Sequence, residues 1–584
     1  MHIGIGIGIT TLRSRGLTVL SVPGTMAAPG LAQINQTRLS VTRSAAPADG
    51  GSPILSYDLR YSTDQLSWTV VAGIGASQTI TGLAAGTLYF VQTRAVNALG
   101  PALWSASASQ STVAASPVNT ALPVISGTAQ QGQTLTGTNG TWANSPTGFA
   151  YQWKRAGVVI GGASANTYIL QASDVGATLT FEVTASNASG SATAASVATA
   201  TGTTLRIIAT RARACTSNAA TNRQCNSRSF HVANDTISAL KIAYANFQLT
   251  SAISTEQAQG SVCTLTASVE YPSGTFTQIL FGGVASKAVA DGDLIFSDSC
   301  TIAIPNGATF WIRMFRVTTA GGMQYCSWRN SAGGDLMNTA PSGLSDLSMG
   351  GTITSSGNFS VPPFAILGQT AKSALLLIGD SKTHGFNDTA ENASAATPGL
   401  RGEIAKSLPA SYPFVNLASG GSRANLWGTQ WTKRALMLPY ASDYYISLGH
   451  NDLFVSADSA ATIQSNLGLI TAAIIAANAA AKIKIATQSH KAGSTDAFAT
   501  LANQTAALGG AGSARGVLNA AIRASSVSNQ NNGFIEIADQ TEDTRDTGKW
   551  KVDGTASKYT ADGIHPQPVG YDLIVTAAVV PTPP

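Results

Sequence analysis

The first residues that could perform chemistry lie in the last third of the chain, directly after a short apolar run. Residues 375–378 are Leu-Leu-Leu-Ile, and Gly379, Asp380 and Ser381 follow them. A continuous apolar run of this length predicts a strand buried on both faces, as in a parallel sheet covered by helices. Ligands bind outside the carboxyl ends of such strands, so we expect Ser381 at the reactive edge of the sheet.

Three further segments that could take part in the same chemistry follow downstream. Each of the first two comes directly after a strand-like run, so both could reach the rim of the sheet that carries Ser381. An imidazole can activate a serine hydroxyl, a carboxylate can orient that imidazole, and a backbone N–H or an Asn amide can stabilise an oxyanion. The segments are 416–421 (Asn-Leu-Ala-Ser-Gly-Gly), 449–452 (Gly-His-Asn-Asp) and 562–566 (Asp-Gly-Ile-His-Pro).

In this order, the segments resemble the sequence blocks of the SGNH (GDSL) hydrolase family, and the resemblance covers roughly residues 370–580. It implies a serine esterase in which Ser381 is the nucleophile and His565 is the general base. It further implies that Asp562 orients the imidazole and stabilises its charged form.

The resemblance also implies an oxyanion hole and two supporting residues. The oxyanion would be bound by the backbone N–H groups of Ser381 and Gly421 and by the side-chain amide of Asn451. Asp380 would support the nucleophile turn, and Gly449 would support the turn that carries the Asn.

Some positions leave alternatives open. Gly420 could donate in place of Gly421, although the spacing within its block favours Gly421. Lys382 stands where the family often has an apolar residue, which could alter the pocket. Of the other candidate bases, only His450 has an acid at a suggestive spacing, Asp452, and the Asn-Asp block already explains that pair. The other candidate bases are His384, His450 and His490.

Length and composition bound the rest of the molecule. A chain of 584 residues should hold several domains, and its low charged fraction of 11% with 58 glycines suits extracellular or virion β-modules. The net charge is +5 without a dense Lys/Arg run, so no nucleic-acid partner is expected. No apolar stretch reaches membrane-spanning length, so no membrane span is expected. The residues predict no cofactor and no metal site.

Two features of the chain outside the predicted catalytic region invite weak interpretations. Within the first ten residues, positions 3–9 alternate Ile and Gly, which indicates a strand or anchor that could join a partner protein, and the segment lacks the basic start of a secretory signal. The five cysteines match no zinc pattern, and their odd number predicts no disulfide framework. Cys215 and Cys225 are the local pair that could bond. The cysteines are Cys215, Cys225, Cys263, Cys300 and Cys326.

The preceding residues are typical of β-sandwich modules. Residues 83–97 resemble the characteristic turn, tyrosine (Tyr89) and strand of a fibronectin type III module. Residues 118–203 resemble a bacterial immunoglobulin-like repeat, in which Trp153 is expected in the core. Short alternating runs then suggest another β-sandwich, of jelly-roll type.

We therefore predict N-terminal all-β sandwiches followed by a three-layer α/β hydrolase domain, because strand-like and helical stretches alternate in the last part. The predicted bounds are 1–21 (strand or anchor), 22–117 (fibronectin type III-like), 118–203 (Ig-like), 204–345 (β-sandwich of unclear type), 346–370 (linker) and 371–584 (hydrolase).

The function expected from these features is removal of O-acetyl or other acyl groups from a cell-surface polysaccharide. The appended β-modules suggest a phage tail or other virion protein, with an ester-bearing glycan as substrate and other virion proteins, or further copies of the chain, as partners. Two alternatives stay open. One is a receptor-binding or structural virion protein whose hydrolase domain only binds glycan, and the other is a secreted bacterial carbohydrate esterase.

Overall fold

The structure is a computed structural model of the chain that describes most of its residues. The described residues are 19–213, 215, 217–219, 221–249, 255–326, 333–355, 359–386, 388, 402–409 and 412–577. All but the last three residues of the predicted anchor at 1–21 lie outside these ranges. The chain forms two compact units. One contains the described residues up to Gly127 with Thr134–Tyr168 and Leu179–Thr199, and the other contains Thr128–Gln133, Ile169–Thr178 and the described residues from Ala200 onward.

The first β-sandwich has the alternating burial that its sequence predicts. Every second side chain of the strand Leu88–Asn97 is buried, which leaves one face of its sheet on the core. The hydroxyl of Tyr89 accepts a hydrogen bond from the backbone N–H of Ala84 at 2.9 Å and so ties the preceding turn to this strand, as expected of a tyrosine corner. The strands are Gly30–Asn35, Arg38–Thr42, Ile54–Ser62, Thr69–Val71, Ser77–Ile80, Leu88–Asn97, Gly100–Pro101 and Ala108–Ser111.

The Ig-like region is built on the same alternation. The strand Leu179–Asn187 buries every second residue, and its Phe181 packs against the fully buried Trp153 with ring centroids 4.9 Å apart. Trp153 is therefore a core residue, as predicted. The strands are Val118–Ala121, Ile125–Ser126, Thr134–Gly137, Thr141–Ala143, Gly148–Arg155, Val158–Val159, Thr167–Ile169, Leu179–Asn187 and Gly190–Ala195, and a short 3₁₀ helix spans Ala172–Asp174.

The middle of the chain forms two larger antiparallel sheets. One has the order Phe276–Ile279, Cys263–Glu270, Thr309–Thr318, Gln224–Val232, Leu336–Ala340, and Ser286–Val289 also pairs with Cys263–Glu270. The other has the order Thr204–Ile207, Ala365–Thr370, Ile237–Ala245, Leu294–Phe296, and Cys300–Ile304 also pairs with Ile237–Ala245. Smaller pairs join Ser217–Ala219 to Met323–Tyr325 and Phe247–Leu249 to Glu256–Ala258.

The segment predicted as a linker contributes to this second sheet. Its last part is the largely buried strand Ala365–Thr370, which pairs with Thr204–Ile207 on one side and with Ile237–Ala245 on the other. Its apolar start, Ala-Ile-Leu, fits a sheet interior better than a solvated connection, so this part of 346–370 is structural.

The last part of the chain is organised around a parallel sheet. Its order is Ala212–Arg213, Phe414–Asn416, Leu375–Gly379, Asp443–Ser447, Lys482–Ala486, Phe534–Ile535, and every pair is parallel. The central strand Leu375–Gly379 is buried on both faces, as its apolar run predicts. The next strand in the chain lies on one side of it and the one after that on the other, so the order reverses here. In open α/β sheets, ligands bind at the carboxyl ends of the strands at such a reversal.

Helices cover both faces of the parallel sheet. Leu376 and Ile378 belong to a core that includes the helices Ala460–Ala477 and Ala514–Arg523, whereas Leu375 and Leu377 face a core that includes Ile574. These two helices are capped by Ser459 and Ser513, whose side chains accept hydrogen bonds from the N–H groups of Thr462 and Gly516. The other helices are Ser381–His384, Trp427–Gln430, Ala538–Thr541 and Pro568–Ala577, with 3₁₀ turns at Ala405–Ser407, Ala424–Leu426 and Arg434–Tyr440 and a π turn at Asp452–Ser456. A β-hairpin, Lys491–Ser494 with Gln504–Ala507, completes the region.

One helix among the described residues, Ala460–Ala477, is long and apolar enough to cross a membrane. Its Ile463, Leu467, Ile470 and Ile474 are buried in the core, as expected for a helix packed on a sheet.

The cysteine contacts differ from the sequence expectation. All five cysteines lie in the described part of the chain, are buried and form no disulfide, and the sulfur of Cys215 lies 3.2 Å from that of Cys326. Cys225 instead accepts a hydrogen bond from the buried guanidinium of Arg316 at 2.9 Å. The suspected Cys215–Cys225 bond is therefore wrong, because the sulfur of Cys215 contacts Cys326 and that of Cys225 contacts Arg316.

Candidate active site

The nucleophile turn is fixed by a buried ion pair. Asp380 ends the central strand and caps the helix Ser381–His384, because its carboxylate accepts the backbone N–H of Lys382 at 2.9 Å. The ammonium of Lys382 lies 3.1 Å from the same carboxylate, and both side chains are buried. Lys382 thus points away from the cleft and supports the turn. Gly379 must be glycine here, since a Cβ would lie 2.1 Å from the hydroxyl of Thr383.

Ser381, His565 and Asp562 form a connected hydrogen-bonded triad. The hydroxyl Oγ of Ser381 lies 2.9 Å from Nε2 of His565, and Nδ1 of His565 lies 2.6 Å from Oδ2 of Asp562. The second oxygen of Asp562 accepts the backbone N–H groups of Ile564 and His565 at 2.9 and 2.8 Å. The turn therefore holds acid and base side by side with only two residues between them.

The electrostatics of this turn keep Asp562 ionised. Burial alone would raise its pKa, but the hydrogen bonds from the side chain and backbone of His565 and from Ile564 hold the pKa well below the ordinary value. An ionised Asp562 can keep the Nδ1 proton on the imidazole, which leaves Nε2 free to accept the proton of Ser381.

The triad turn is anchored by the neighbouring hairpin. The carbonyl of Gly563 accepts the N–H of Ala492 at 3.1 Å and the indole N–H of the fully buried Trp550 at 2.9 Å. Gly563 has φ +73°, and a Cβ at this position would lie 1.9 Å from the carbonyl oxygen of Ala492. Only glycine combines this backbone conformation with this close contact.

The predicted oxyanion donors lie on the same cleft as Ser381. Gly420, Gly421 and Asn451 all line it, and Gly421 has φ +74°, which glycine adopts readily. Within the described ranges, the N–H groups of Ser381 and Gly421 donate to no acceptor. The amide of Asn451 donates one hydrogen bond to the carbonyl of Ser422 at 3.1 Å, which leaves its second N–H for a ligand.

Asp452 connects the two loops that carry these donors. Its buried carboxylate accepts hydrogen bonds from the backbone N–H groups of Ala424 and Asn425, both at 3.0 Å, in the loop that follows Gly421. Burial raises the pKa of Asp452, and these two hydrogen bonds oppose that rise. Gly449, with φ +127°, lets the chain turn between the strand and Asn451, and a Cβ at this position would lie 3.2 Å from the side chain of Gln488.

The alternative histidines do not reach the nucleophile. His450 lines the cleft, but its Nδ1 lies 3.2 Å from the carbonyl oxygen of Ser489, and burial together with Lys382 holds its pKa well below the ordinary value. His490 is buried against Trp550 with ring centroids 4.3 Å apart, and burial lowers its pKa too. His384 ends the short helix that Ser381 begins, and the imidazole that contacts Ser381 Oγ is that of His565.

The cleft above the triad has a volume of about 330 Å³ and is mostly apolar. Phe386 packs on the imidazole of His565 with ring centroids 4.6 Å apart. The cleft wall also contains His450, a candidate base from the sequence, and five residues that the sequence does not predict, although Phe454 and Lys491 lie in segments that follow strands of the parallel sheet. These five residues are Phe386, Phe454, Val455, Lys491 and Ile564.

Among the described residues, no group of three or more His, Cys, Asp or Glu side chains is arranged to hold a metal ion. The chemistry that the described site can perform with its own groups is proton transfer between an oxygen nucleophile and an imidazole, next to donors for an oxyanion.

Comparison with known proteins identifies part of this architecture. Residues 377–573 match the GDSL-like lipase/acylhydrolase family. No curated protein matches the chain. Among solved structures, the chain is similar to the sixth fibronectin type III domain of human fibronectin type III domain containing protein 3, with 23% identity over 16% of this chain and 88% of that one and a TM-score of 0.15. The chain therefore carries a GDSL-like lipase/acylhydrolase domain behind a long all-β region, and this domain supports assignment as a hydrolase.

Proposed function

We propose that the chain is a serine esterase of the SGNH type, with Ser381 as the nucleophile. The observation that carries the proposal is the unbroken chain of contacts from Ser381 Oγ to His565 Nε2 at 2.9 Å and from His565 Nδ1 to Asp562 at 2.6 Å. Nucleophile, base and orienting acid in this geometry are the recurring apparatus of acyl transfer.

The reaction follows from these contacts. His565 removes the proton of Ser381 as its oxygen forms a bond to the ester carbonyl carbon, and the N–H donors of Ser381, Gly421 and Asn451 stabilise the resulting oxyanion. The imidazolium then gives its proton to the departing alcohol oxygen, which leaves an acyl-serine. A water molecule, deprotonated by His565, attacks the acyl-serine, and the acid is released with Ser381 restored.

The proposed substrate is an O-acetylated or otherwise acylated cell-surface polysaccharide. A cleft of about 330 Å³ suits a short acyl group with part of its alcohol, and the aromatic and aliphatic walls would contact the apolar parts of the substrate. The β-modules before the hydrolase domain favour a chain that works at a surface, as in a phage tail or other virion protein. That setting is an analogy from architecture.

The first experiment is hydrolysis of p-nitrophenyl acetate by the chain and by its Ser381→Ala variant. We expect the variant to lose roughly 10³-fold or more in kcat/KM, because the remaining oxyanion donors supply only residual catalysis. Equal activity of the two proteins would refute the proposed nucleophile.

A receptor-binding protein whose domain only holds glycan is the second candidate, favoured by the tandem β-modules. A fluorophosphonate probe separates the two, since covalent labelling at Ser381 requires an activated hydroxyl. A binding-only site would leave Ser381 unlabelled in the folded chain.

A virion assignment would be tested separately, by asking whether the protein is a stoichiometric component of purified particles. A secreted carbohydrate esterase would be absent from them.

A further inference from the structure

Among the described residues, the wall of the active-site cleft carries one lysine and no acid. Of these lining residues, Lys491 has the side chain that is cationic at neutral pH, and the imidazoles of His450 and His565 are the other titratable groups. A substrate that enters the cleft therefore meets a positive charge that no described carboxylate of the lining offsets.

Lys491 is held at this wall by backbone hydrogen bonds. It begins the strand Lys491–Ser494, which pairs with Gln504–Ala507, and Lys491 lies opposite Ala507. The next residue, Ala492, donates its N–H to the carbonyl of Gly563 in the triad turn at 3.1 Å. The lysine is thus positioned relative to His565 by the hairpin and by its hydrogen bond to the triad turn.

The ammonium of Lys491 lacks an acidic partner in the described part of the chain. No described carboxylate lies within 4.0 Å of it, whereas both other lysines near the nucleophile, Lys382 and Lys406, form ion pairs. The Nζ atom lies 5.9 Å from the centre of the Phe454 ring, which is itself part of the cleft wall. A half-buried cation against an aromatic wall gains most from an anion that the ligand brings.

We propose that the cleft accepts an ester whose alcohol part carries a negatively charged group, and that Lys491 binds this group. The proposal rests on the proposed esterase function. The charge belongs on the alcohol part because His565 must protonate the alcohol oxygen, and the strand of Lys491 is hydrogen-bonded to the His565 turn. In a polysaccharide, such a substrate is an acylated sugar that bears, or is linked to, an acidic group.

A matched pair of small esters tests the proposal. We would measure kcat and KM for 3-acetoxybenzoate and for 3-acetoxybenzamide, which have nearly the same size and differ in charge. The quantity to compare is the kcat/KM for 3-acetoxybenzoate divided by that for 3-acetoxybenzamide. This ratio should be about 3- to 10-fold lower in Lys491→Met than in the wild-type chain, mainly through KM, as expected for loss of a partly solvated ion pair. Lys491→Arg should retain most of the preference, and added salt should weaken it in the wild type.

The control is Lys482→Met, which removes an equal charge from an exposed lysine at the start of a strand, at the opposite end from the cleft. It should leave the ratio unchanged within about twofold, because an exposed charge at that distance is screened by salt.

The failure of this inference differs from the failure of the proposed function. If both esters are cleaved and Lys491→Met leaves their ratio as in wild type, the anion site is refuted while the esterase stands. A ratio that falls equally in Lys482→Met would also refute it, since net charge would then be the cause. If the wild type cleaves neither these esters nor p-nitrophenyl acetate, the esterase itself fails, and this inference fails with it.

Discussion

The residues around the nucleophile are of two kinds: some line the cleft, and others are buried and support the nucleophile turn. Ser381 and His565 line the cleft, whereas Asp380, Lys382 and Glu403 are buried beneath them. The hydroxyl of Thr383 donates to Glu403 at 2.8 Å, so this acid is linked to the helix that begins at Ser381. Charged groups buried this deeply cost folding free energy unless they are paired. Their protonation state can therefore be measured through the dependence of the unfolding free energy on pH.

Glu403→Gln should change how stability depends on pH. Burial, and next to it the charge of Asp380, raise the pKa of Glu403 to about 7 from 4.5, although Lys382 opposes the rise. The folded chain therefore holds this proton more tightly than the unfolded chain, and its unfolding free energy falls as the pH rises from about 4.5 to about 7. Gln cannot ionise, so relative to wild type the variant should gain up to about 3 kcal/mol between pH 5 and pH 8.

Urea unfolding at pH 5, 6, 7 and 8 measures this difference directly. A constant offset between the two proteins is the structural effect of the amide and carries no information about ionisation. Curves that stay parallel over the whole range would show that Glu403 titrates at an ordinary pKa in the folded chain.

At the scale of residues, the sequence was informative where chemistry restricts the choice of side chain. The family resemblance, carried by residue types and their order, implies Ser381, Asp562 and His565, and the structure brings the three together. The sequence left open whether Lys382 alters the pocket, and the structure buries it against Asp380, because the direction in which a side chain points from a turn depends on packing. Lys491 and Phe454 could not be predicted, since their position on the wall depends on a hairpin and a π turn with no sequence signature.

Among the elements, the short hairpin is as important to the site as the parallel sheet. The sheet brings the segments after three strands to one rim, but the triad turn follows no strand and must be held from outside. The strand that begins at Lys491 does this through the Ala492–Gly563 hydrogen bond, and Trp550 holds the same carbonyl from a second direction. The position of His565 is thus coupled to that of Lys491.

Gly563→Ala should damage the site more than a matched change at another glycine. A methyl group at 563 would collide with the carbonyl of Ala492, whereas Gly554, with a similarly positive φ of +89°, has open space around it. Both changes should cost about 1–2 kcal/mol of stability for the left-handed backbone. We expect Gly563→Ala to cost a further 1–3 kcal/mol, roughly, and to lower kcat/KM about 10- to 100-fold by displacing His565.

Thermal unfolding and esterase kinetics of the two variants, measured side by side, check this expectation. Equal losses in both would mean that backbone strain alone matters and that the hairpin does not position the turn.

The regular elements of the parallel sheet were predictable because their signals are local. The continuous apolar run at 375–378 predicts the buried central strand without any knowledge of the rest of the fold. The edge strand Ala212–Arg213 was not predictable, because two residues carry no periodicity and their partner, Phe414–Asn416, lies far along the chain.

On the scale of the compact unit that contains the site, the hydrolase region shares its core with the middle β-region. One continuous apolar cluster includes Ile207, Phe247 and Leu367 as well as Leu376 and Trp431. Charged contacts also join the middle β-region to the hydrolase region. Glu256 accepts hydrogen bonds from the backbone N–H groups of Lys433 and Arg434, both at 2.7 Å, and lies 3.3 Å from the buried guanidinium of Arg434. The predicted boundary at residue 371 thus cuts through a packed interior.

A fragment of residues 371–584 should therefore be much less stable than one of residues 200–584. The shorter fragment loses the edge strand Ala212–Arg213, exposes the apolar residues that Leu367 and Phe247 cover, and leaves buried Arg434 without Glu256. Removing one partner of a buried ion pair alone costs about 3–5 kcal/mol. We expect the thermal midpoint of the shorter fragment to lie about 10 °C or more below that of the longer fragment, if it folds at all.

The longer fragment should keep the esterase kcat/KM of the full chain within about twofold, because it contains every residue that lines the cleft or supports the nucleophile and triad turns. Matching midpoints for the two fragments would show instead that the hydrolase region is an independent domain and that the shared core adds little to its stability.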